Sequence, residues 1–548
     1  MRVRPLIREV AEILSSTLSR GRYPGLVVVD APTAYGKTTQ SPAIYSKIRD
    51  AVSSYIHVLP MRAMVRDAYI SAVNASGKTP TSSILREVLG EGHWSRVGYQ
   101  AMALGLKGKS PFFVREIVYT TLHSFVMNIY RIPVAEAGQF RRHYELPRAY
   151  ILNSLIVFDE AHLYGGWRPF MVALRYLIST QTPVVVESAT MPPSAYSELG
   201  RVARGAGCTI LTLRDVDNIN RCEIRRVSDE DFIKRACDGV TWNTGVVKDA
   251  PSIVEGVVEA VLKHLKAERK VLAVLNTPED AVKVWRELRR AWPRAWLVHG
   301  RMAPSERKVS LKAFRRCSEA SVLVATQVIE AGVEVNSDAV VTAPATPSSL
   351  IQRAGRAARR GKRGGWVTLV ASKEDERLGP YKDIRLDNLL KTFERVRSWR
   401  CPLDEGLNDL LTLETVEAET ASASLVELIQ SPIVGTDYLL RYIQGERGEG
   451  LCSDALFGPD AVVVPVEVEG VGEEFPVSTG TLRYLLSKGA RLFVREGNTT
   501  RPLSKVCDPR VKDRAFCQCV VKSVVHGTRI IVPLGEGGYL RGEGLVLV

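Results

Sequence analysis

The residues of this chain whose types and order could do chemistry are Ala31-Pro32-Thr33-Ala34-Tyr35-Gly36-Lys37-Thr38-Thr39 and, further along, Asp159-Glu160-Ala161-His162. A small-residue loop ending in Gly-Lys-Thr is suited to a phosphate tail. The loop Pro32-to-Thr39 surrounds the phosphates with the amides that follow Pro32, Lys37 reaches the outer ones, and the Thr38 hydroxyl takes Mg²⁺. Paired acids at a strand end supply the other half of such a site. Asp159 holds the metal, and Glu160 orients and deprotonates water. The chemistry would be hydrolysis of a nucleoside triphosphate.

Such groups need rigid strands behind them. Gly25-Leu26-Val27-Val28-Val29-Asp30 precedes the loop and Leu155-Ile156-Val157-Phe158 precedes the acids, both short, continuous and apolar. Runs of this kind read as strands of a parallel sheet buried on both faces. Similar runs at 55–60, 117–120 and 183–187 alternate with amphipathic stretches, the βαβ pattern of an α/β domain over residues 1–215. Asp, Asn and Gly cluster over 216–250, which reads as a linker. The strand pattern resumes at 270–275, 295–299, 321–325, 339–342 and 365–370, defining a second α/β domain over 251–400. Residues 401–548 read as a helical bridge and a small accessory domain with β content, from the Gly-separated apolar runs at 461–468, 490–494 and 529–532.

The second half carries groups that the first lacks. Ser349 to Arg359 reads as a helix with Ser348 as N-cap and Gly361 as stop, and Gln352, Arg356 and Arg359 fall on one face. One glutamine and two arginines so aligned suit a γ-phosphate and the charge that develops on it, as arginine fingers do.

The chain has 548 residues, 45% of them apolar and 24% charged, the composition of a globular protein with large cores. Its net charge is +14, with 53 arginines among 74 basic residues, a surplus that suits a polyanionic partner. Only 20 residues are Asn or Gln, a sign of a hot habitat. There is no signal-peptide core and no apolar run long enough to span a membrane, so a cytoplasmic location without membrane association is expected. The nine cysteines show no CxxC pair, which argues for free thiols. Cys507, Cys517 and Cys519 with His526 form a weaker candidate zinc set.

In order along the chain, these signals resemble the superfamily 2 helicases of DExH type over residues 25–360. The phosphate loop looks like motif I and Leu59-Pro60-Met61-Arg62-Ala63 like Ia. Tyr119-Thr120-Thr121-Leu122-His123 looks like Ib, Asp159 to His162 like II, and Ser188-Ala189-Thr190 like III. Asn276-Thr277 resembles IV, Ala325-Thr326 through Gly332-Val333-Glu334 resembles V, and the arginine helix VI. A narrower resemblance, carried by Thr326 to Gly332, Val298-His299-Gly300-Arg301, Gln352 to Arg359 and Gly538 to Leu545, is to the CRISPR type I interference helicase in its stand-alone archaeal form.

The resemblance implies two tandem RecA-like domains closing on ATP and Mg²⁺, with Lys37, Thr38, Asp159 and Glu160 on one wall and Gln352, Arg356 and Arg359 on the other. Gly332 and Glu334 would contact the nucleotide, and His162, Ser188 and Thr190 would couple hydrolysis to domain movement. Arg62, Thr120, Thr121, Thr277, His299 and Thr326 would hold a strand of single-stranded DNA, chiefly by its backbone. The implied partners are a separate HD-family nuclease, because no histidine here is followed by Asp, and a Cascade-type CRISPR effector complex with its guide RNA. Ala34 stands where most members have glycine, and Glu334 where aspartate is usual. Two other readings share the same catalytic residues: a DExH helicase of DNA repair or RNA processing, and a nucleotide-switched scaffold that recruits a nuclease.

Overall fold

A computed structural model of the protein describes residues 3–74, 78–101, 104, 106–130, 145–164, 168–214, 221–237, 242–330, 333, 335–357, 364–372, 385–396, 398–399, 405–415, 462–525 and 527–546. The chain divides into two compact units, Met1–Arg235 with Glu414–Leu440, and Ala236–Leu413 with Arg441–Val548.

In the first unit β1 (Leu26–Asp30), β2 (Ser54–Leu59), β3 (Val97–Gln100), β4 (Ile117–Thr121), β5 (Ser154–Phe158), β6 (Val184–Ser188), β7 (Cys208–Thr212) and β8 (Glu223–Arg226) form one sheet, ordered β3-β4-β2-β5-β6-β1-β7-β8. Every pairing in it is parallel. Every residue of β1, β2, β4, β5 and β6 is buried, which is why those runs lack the polar alternation of a half-solvated strand. β6 separates β1 from β5, so the loop after β1 and the acids after β5 emerge at the same edge of the sheet.

The second unit holds β9 (Trp242–Ala250), β10 (Lys270–Val274), β11 (Ala295–Val298), β12 (Ser321–Ala325), β13 (Ala339–Thr342), β14 (Gly365–Ser372) and β15 (Ser398–Trp399), ordered β11-β12-β10-β13-β14-β9-β15. Only β15 runs antiparallel, against β9. A smaller mixed sheet follows in the same unit: β16 (Val463–Val468), β17 (Glu474–Ser478), β18 (Phe493–Glu496), β19 (Thr499–Pro502) and β20 (Arg529–Val532), ordered β17-β16-β20-β18-β19, with helices Thr479–Ser487 and Asp513–Val525. The hairpin β21 (Tyr539–Leu540) and β22 (Gly544–Leu545) ends the described chain. Two parallel α/β sheets and a small accessory domain with β content are thus present.

Three expectations need correction. Residues 216–250 are not a plain linker: β8 joins the first sheet beside β7, and β9 joins the second beside β14. Both strands are largely half-exposed or exposed, so their sequences carry the polar residues of a connecting segment. The arginine helix is Pro347–Ala354, capped by Thr346 rather than Ser348 and closed at Gly355 rather than Gly361. Thr346 has the extended backbone and the hydroxyl, accepting from the Ser349 amide at 3.3 Å, that a cap requires. The cysteines are not all free thiols: Cys208 is bonded to Cys222 and Cys507 to Cys519, and Cys517 is disulfide-bonded as well. Thr209 faces Glu223 across β7 and β8, so Cys208, the first residue of β7, meets Cys222, which precedes β8, a proximity that sequence spacing does not reveal. His526 of the weaker zinc set lies outside the described residues.

Candidate nucleotide site

The loop after β1 turns through two residues of left-handed backbone, Ala34 at φ 65° and Gly36 at φ 96°. Gly36 bears that conformation without strain, whereas Ala34 holds it against its methyl group. A helix begins at Lys37, so its first amides open toward the loop. Lys37 is buried and folds back, its Nζ donating to Ala31 O at 2.7 Å and Pro32 O at 3.4 Å. Both acceptors are carbonyls of the loop itself.

Thr38 Oγ1 donates to Asp159 Oδ2, so the two hard oxygen groups expected to hold Mg²⁺ already meet. Asp159 is fully buried, with Oδ1 accepting the Glu160 amide at 2.8 Å. Burial alone would push this carboxyl up. The hydrogen bond and charge of His57, then Lys37 and Thr38, outweigh that and hold it below its ordinary range. Glu160 sits in left-handed backbone at φ 51°, a costly conformation for a glutamate and one that aims its side chain away from the line of β5.

His162 Nδ1 lies 3.1 Å from Ser188 Oγ and 3.5 Å from Glu160 Oε2, and Ser188 Oγ accepts the Thr190 amide at 3.3 Å. The residues expected to couple hydrolysis to movement are therefore one connected group inside the first unit. Burial, then the nearby Lys37 charge, lowers the His162 pKa to about 3, so the ring is neutral near pH 7.

Sequence reasoning missed two members of this site. His57 of β2 places Nε2 3.4 Å from Asp159 Oδ2, and its Nδ1 is 2.7 Å from Tyr55 Oη. Glu187 of β6 takes a 2.6 Å hydrogen bond from Ser41 Oγ, while its other oxygen has no partner among the described atoms. Burial, then the charge of Asp159, pushes the Glu187 carboxyl up to about 8. The available signal was one ionisable residue inside each of two otherwise apolar runs.

In the second unit Arg353 is fully buried. It donates to Glu330 Oε1 at 2.7 Å, Thr342 Oγ1 at 2.8 Å and Asn276 Oδ1 at 3.2 Å. This ion pair binds the segments expected as motifs IV, V and VI together, and sequence reasoning overlooked it because attention fell on the other face of the helix. Arg356 lies past the helix end and donates to Val333 O at 3.0 Å and to Glu330 O, so here it ties those two residues together. Gln352 is buried. Arg359, Gly332 and Glu334 lie outside the described residues.

Most side chains expected on a nucleic-acid strand are occupied within the fold. Thr120 is fully buried, with Oγ1 donating to Gln100 O at 2.8 Å. Thr121 caps helix Leu122–Ile129 and Thr277 caps helix Pro278–Ala291. Thr326 is buried. His299 is also buried, its Nε2 2.6 Å from Glu543 O, and the expectation of a strand contact is corrected because the β21–β22 hairpin covers it. Arg62, the first residue of helix Arg62–Ala72, remains partly exposed.

A parallel sheet bearing this loop, these acids and this connected Ser-Ala-Thr segment defines the first unit as a superfamily 2 nucleotide-binding module. The DEAD/DEAH box helicase family matches residues 12–199, and the C-terminal family of the CRISPR-associated nuclease/helicase Cas3 matches residues 267–362. The first unit is thus similar to the DEAD/DEAH box helicases and the second, in part, to the C-terminal part of Cas3. It is 25% identical over 265 residues to a putative CRISPR-associated nuclease/helicase Cas3 of Methanocaldococcus jannaschii, covering 46% of this chain and 34% of that protein. It is 30% identical over 171 residues to an ATP-dependent RNA helicase DBP8 of Scheffersomyces stipitis, covering 30% of this chain and 37% of that one. The chain thus spans about a third of the length of the curated relatives it matches, 37%, 30% and 34% for three of them. The crystal structure of T. fusca Cas3 with ADP shares the fold, with TM-score 0.67 at 16% identity over all of this chain and 70% of that one. Among the described residues no helix is long and apolar enough to cross a membrane.

Proposed function

We propose that this chain is an ATP-driven translocase on single-stranded DNA that works in type I CRISPR interference. The observation that carries the CRISPR part is the match of residues 267–362 to the Cas3 C-terminal family, a segment spanning the β10-to-Arg356 half of the second unit. The catalytic part rests on the geometry after β1 and β5. Lys37 and the helix-start amides would take the phosphates. Thr38 and Asp159 fit Mg²⁺ as a pair of hard oxygen donors, and the ion would neutralise phosphate charge. Glu160 would take the proton from water, and Gln352, Arg356 and Arg359 would stabilise charge in the transition state, which requires Arg356 to leave its carbonyl partners. Helix starts at Arg62, Leu122 and Pro278 would meet the DNA backbone, with amides in place of the buried threonine hydroxyls. In this reading an HD-family nuclease subunit receives the strand and a Cascade-type complex with guide RNA loads it. The Cas3-like neighbour titled "CRISPR RNA-guided surveillance complex, pre-nicking" points the same way at the level of fold.

The similarity to DBP8 favours a second reading, an RNA helicase. ATPase assays with single-stranded DNA and with RNA of equal length separate the two. Stimulation by DNA and displacement of a labelled DNA strand are expected; stimulation by RNA alone would overturn the DNA assignment. Steady hydrolysis without displacement would favour a recruiting scaffold.

A further inference from the structure

β2 and β6 each carry one ionisable residue in an otherwise buried strand, and both residues face the same carboxylate. The ligand-competent atoms of His57, Asp159 and Glu187 lie within 4.8 Å of one another, and all three residues are fully buried. His57 is held in place by the Tyr55 hydroxyl at 2.7 Å and by the Tyr119 ring stacked 5.6 Å away. Glu187 is tied through Ser41, whose Oγ is also 2.9 Å from Lys37 O, to the first turn of the helix that follows the phosphate loop. A continuous set of contacts thus runs from the start of that helix through Glu187 to the neighbourhood of Asp159.

Packing alone does not call for these residues. Val184, Val185 and Val186 precede Glu187 in β6, and an aliphatic side chain would complete the strand without burying a carboxylate. One Glu187 oxygen has no partner among the described atoms, which leaves a costly polar group buried beside the Asp159 carboxylate. Such a cost is tolerated where a cation, present for part of the working cycle, relieves it.

We propose that His57 and Glu187 are positioning residues that set how tightly the site takes its divalent metal together with nucleotide. His57 fixes the Asp159 carboxylate by donating to Oδ2, so the ion meets an oriented ligand. Glu187 holds, through Ser41, the helix turn that carries Thr38. Neither residue is asked to touch nucleotide or water. The inference rests on the reading of this site as a Mg²⁺–ATP site.

The test is Mn²⁺ binding to the full chain saturated with ADP, followed by the electron paramagnetic resonance signal of free Mn²⁺. Glu187→Leu keeps much of the volume but removes the acceptor of the Ser41 hydroxyl, and should weaken Mn²⁺ binding about tenfold. His57→Leu should do the same, while His57→Gln, which keeps an N–H donor, should recover part of the loss. Metal-free ADP binding should change less than threefold in each. Mn²⁺ affinity within twofold of the parent in folded Glu187→Leu and His57→Leu overturns the proposal, and so does an equal loss of metal-free ADP affinity, which marks general damage. If one variant fails to fold, the other decides alone. ATP turnover by the unaltered chain is scored separately. Metal shifts without turnover leave this inference standing and sink the hydrolase reading, and turnover without metal shifts does the reverse.

Discussion

Lys37 and Glu160 sit on opposite sides of the same chemistry, and their substitutions should separate binding from turnover. Lys37→Ala should weaken nucleotide binding, because the ammonium that now rests on Ala31 O is the charge that phosphates would attract. Glu160→Gln should bind nucleotide normally and lose turnover, since only proton removal from water is lost. Near-parental hydrolysis by Glu160→Gln would remove its assignment as base. His162 and His299 give a prediction in pH. Burial lowers both to about 3, well under the ordinary histidine value of 6.5. The unfolded chain therefore binds more protons between those values, and folding stability should fall as pH drops below about 6.5, by roughly 1.4 kcal/mol per pH unit for each ring. Calorimetry from pH 7 to pH 5 should show the fall, and His299→Asn should reduce it; a flat profile would mean that these rings are not buried neutral. Residues of this kind show where the sequence could be read. Lys37, Asp159 and Glu160 were legible because a short motif fixes their local geometry. His57, Glu187 and Arg353 were not, because each acts on a group 102, 146 or 23 residues away that only the folded sheets bring near.

At the scale of elements, the buried parallel strands were legible from continuous β-branched runs, and the edges were not. β8 and β9 are half-wet and look like connecting chain, and the arginine helix ends early, with Gly355 as its C-cap in right-handed backbone. The Cys208–Cys222 disulfide staples the start of edge strand β8 to β7, closing a separation of 14 residues. A loop of that size is worth about 3 kcal/mol on the chain-entropy account, so Cys208→Ser should lower stability by about that amount and strong reductant should lower the Tm of the unaltered protein. No change in either measurement would show the thiols reduced in solution. The β21–β22 hairpin works differently, by coverage. Leu545 N donates to Arg301 O at 2.9 Å and the Tyr539 hydroxyl to Glu306 Oε2 at 2.8 Å, so the hairpin secures the turn after β11 from outside.

For the whole molecule, the expected division of labour is that this chain moves DNA and another cuts it. Nuclease chemistry of the HD type needs clustered His and Asp ligands open to solvent. Among the described residues the one such cluster is His57, Asp159 and Glu187, and it is fully buried inside the first sheet. Purified protein with Mg²⁺, Mn²⁺ or Co²⁺ should leave circular single-stranded DNA intact, and an added HD-family subunit should restore degradation. Metal-dependent cutting by the homogeneous chain, lost on a change within it, would overturn that division.

The position of β1 between β6 and β7 has a consequence for biogenesis. The strand that carries the phosphate loop is made first and finds both neighbours late, since Val29 pairs with Glu187 and Leu26 with Cys208. At roughly 5–20 residues per second, a ribosome needs about 10–40 s to pass from one to the other. Throughout that interval Leu26-Val27-Val28-Val29 is an unpaired apolar segment, the kind that chaperones hold and that aggregates when they do not. ATP cannot help the nascent domain close before β5 and β6 have arrived, because Asp159, Glu160 and Ser188 come with them. Ligand stabilisation therefore enters late in the folding of this unit.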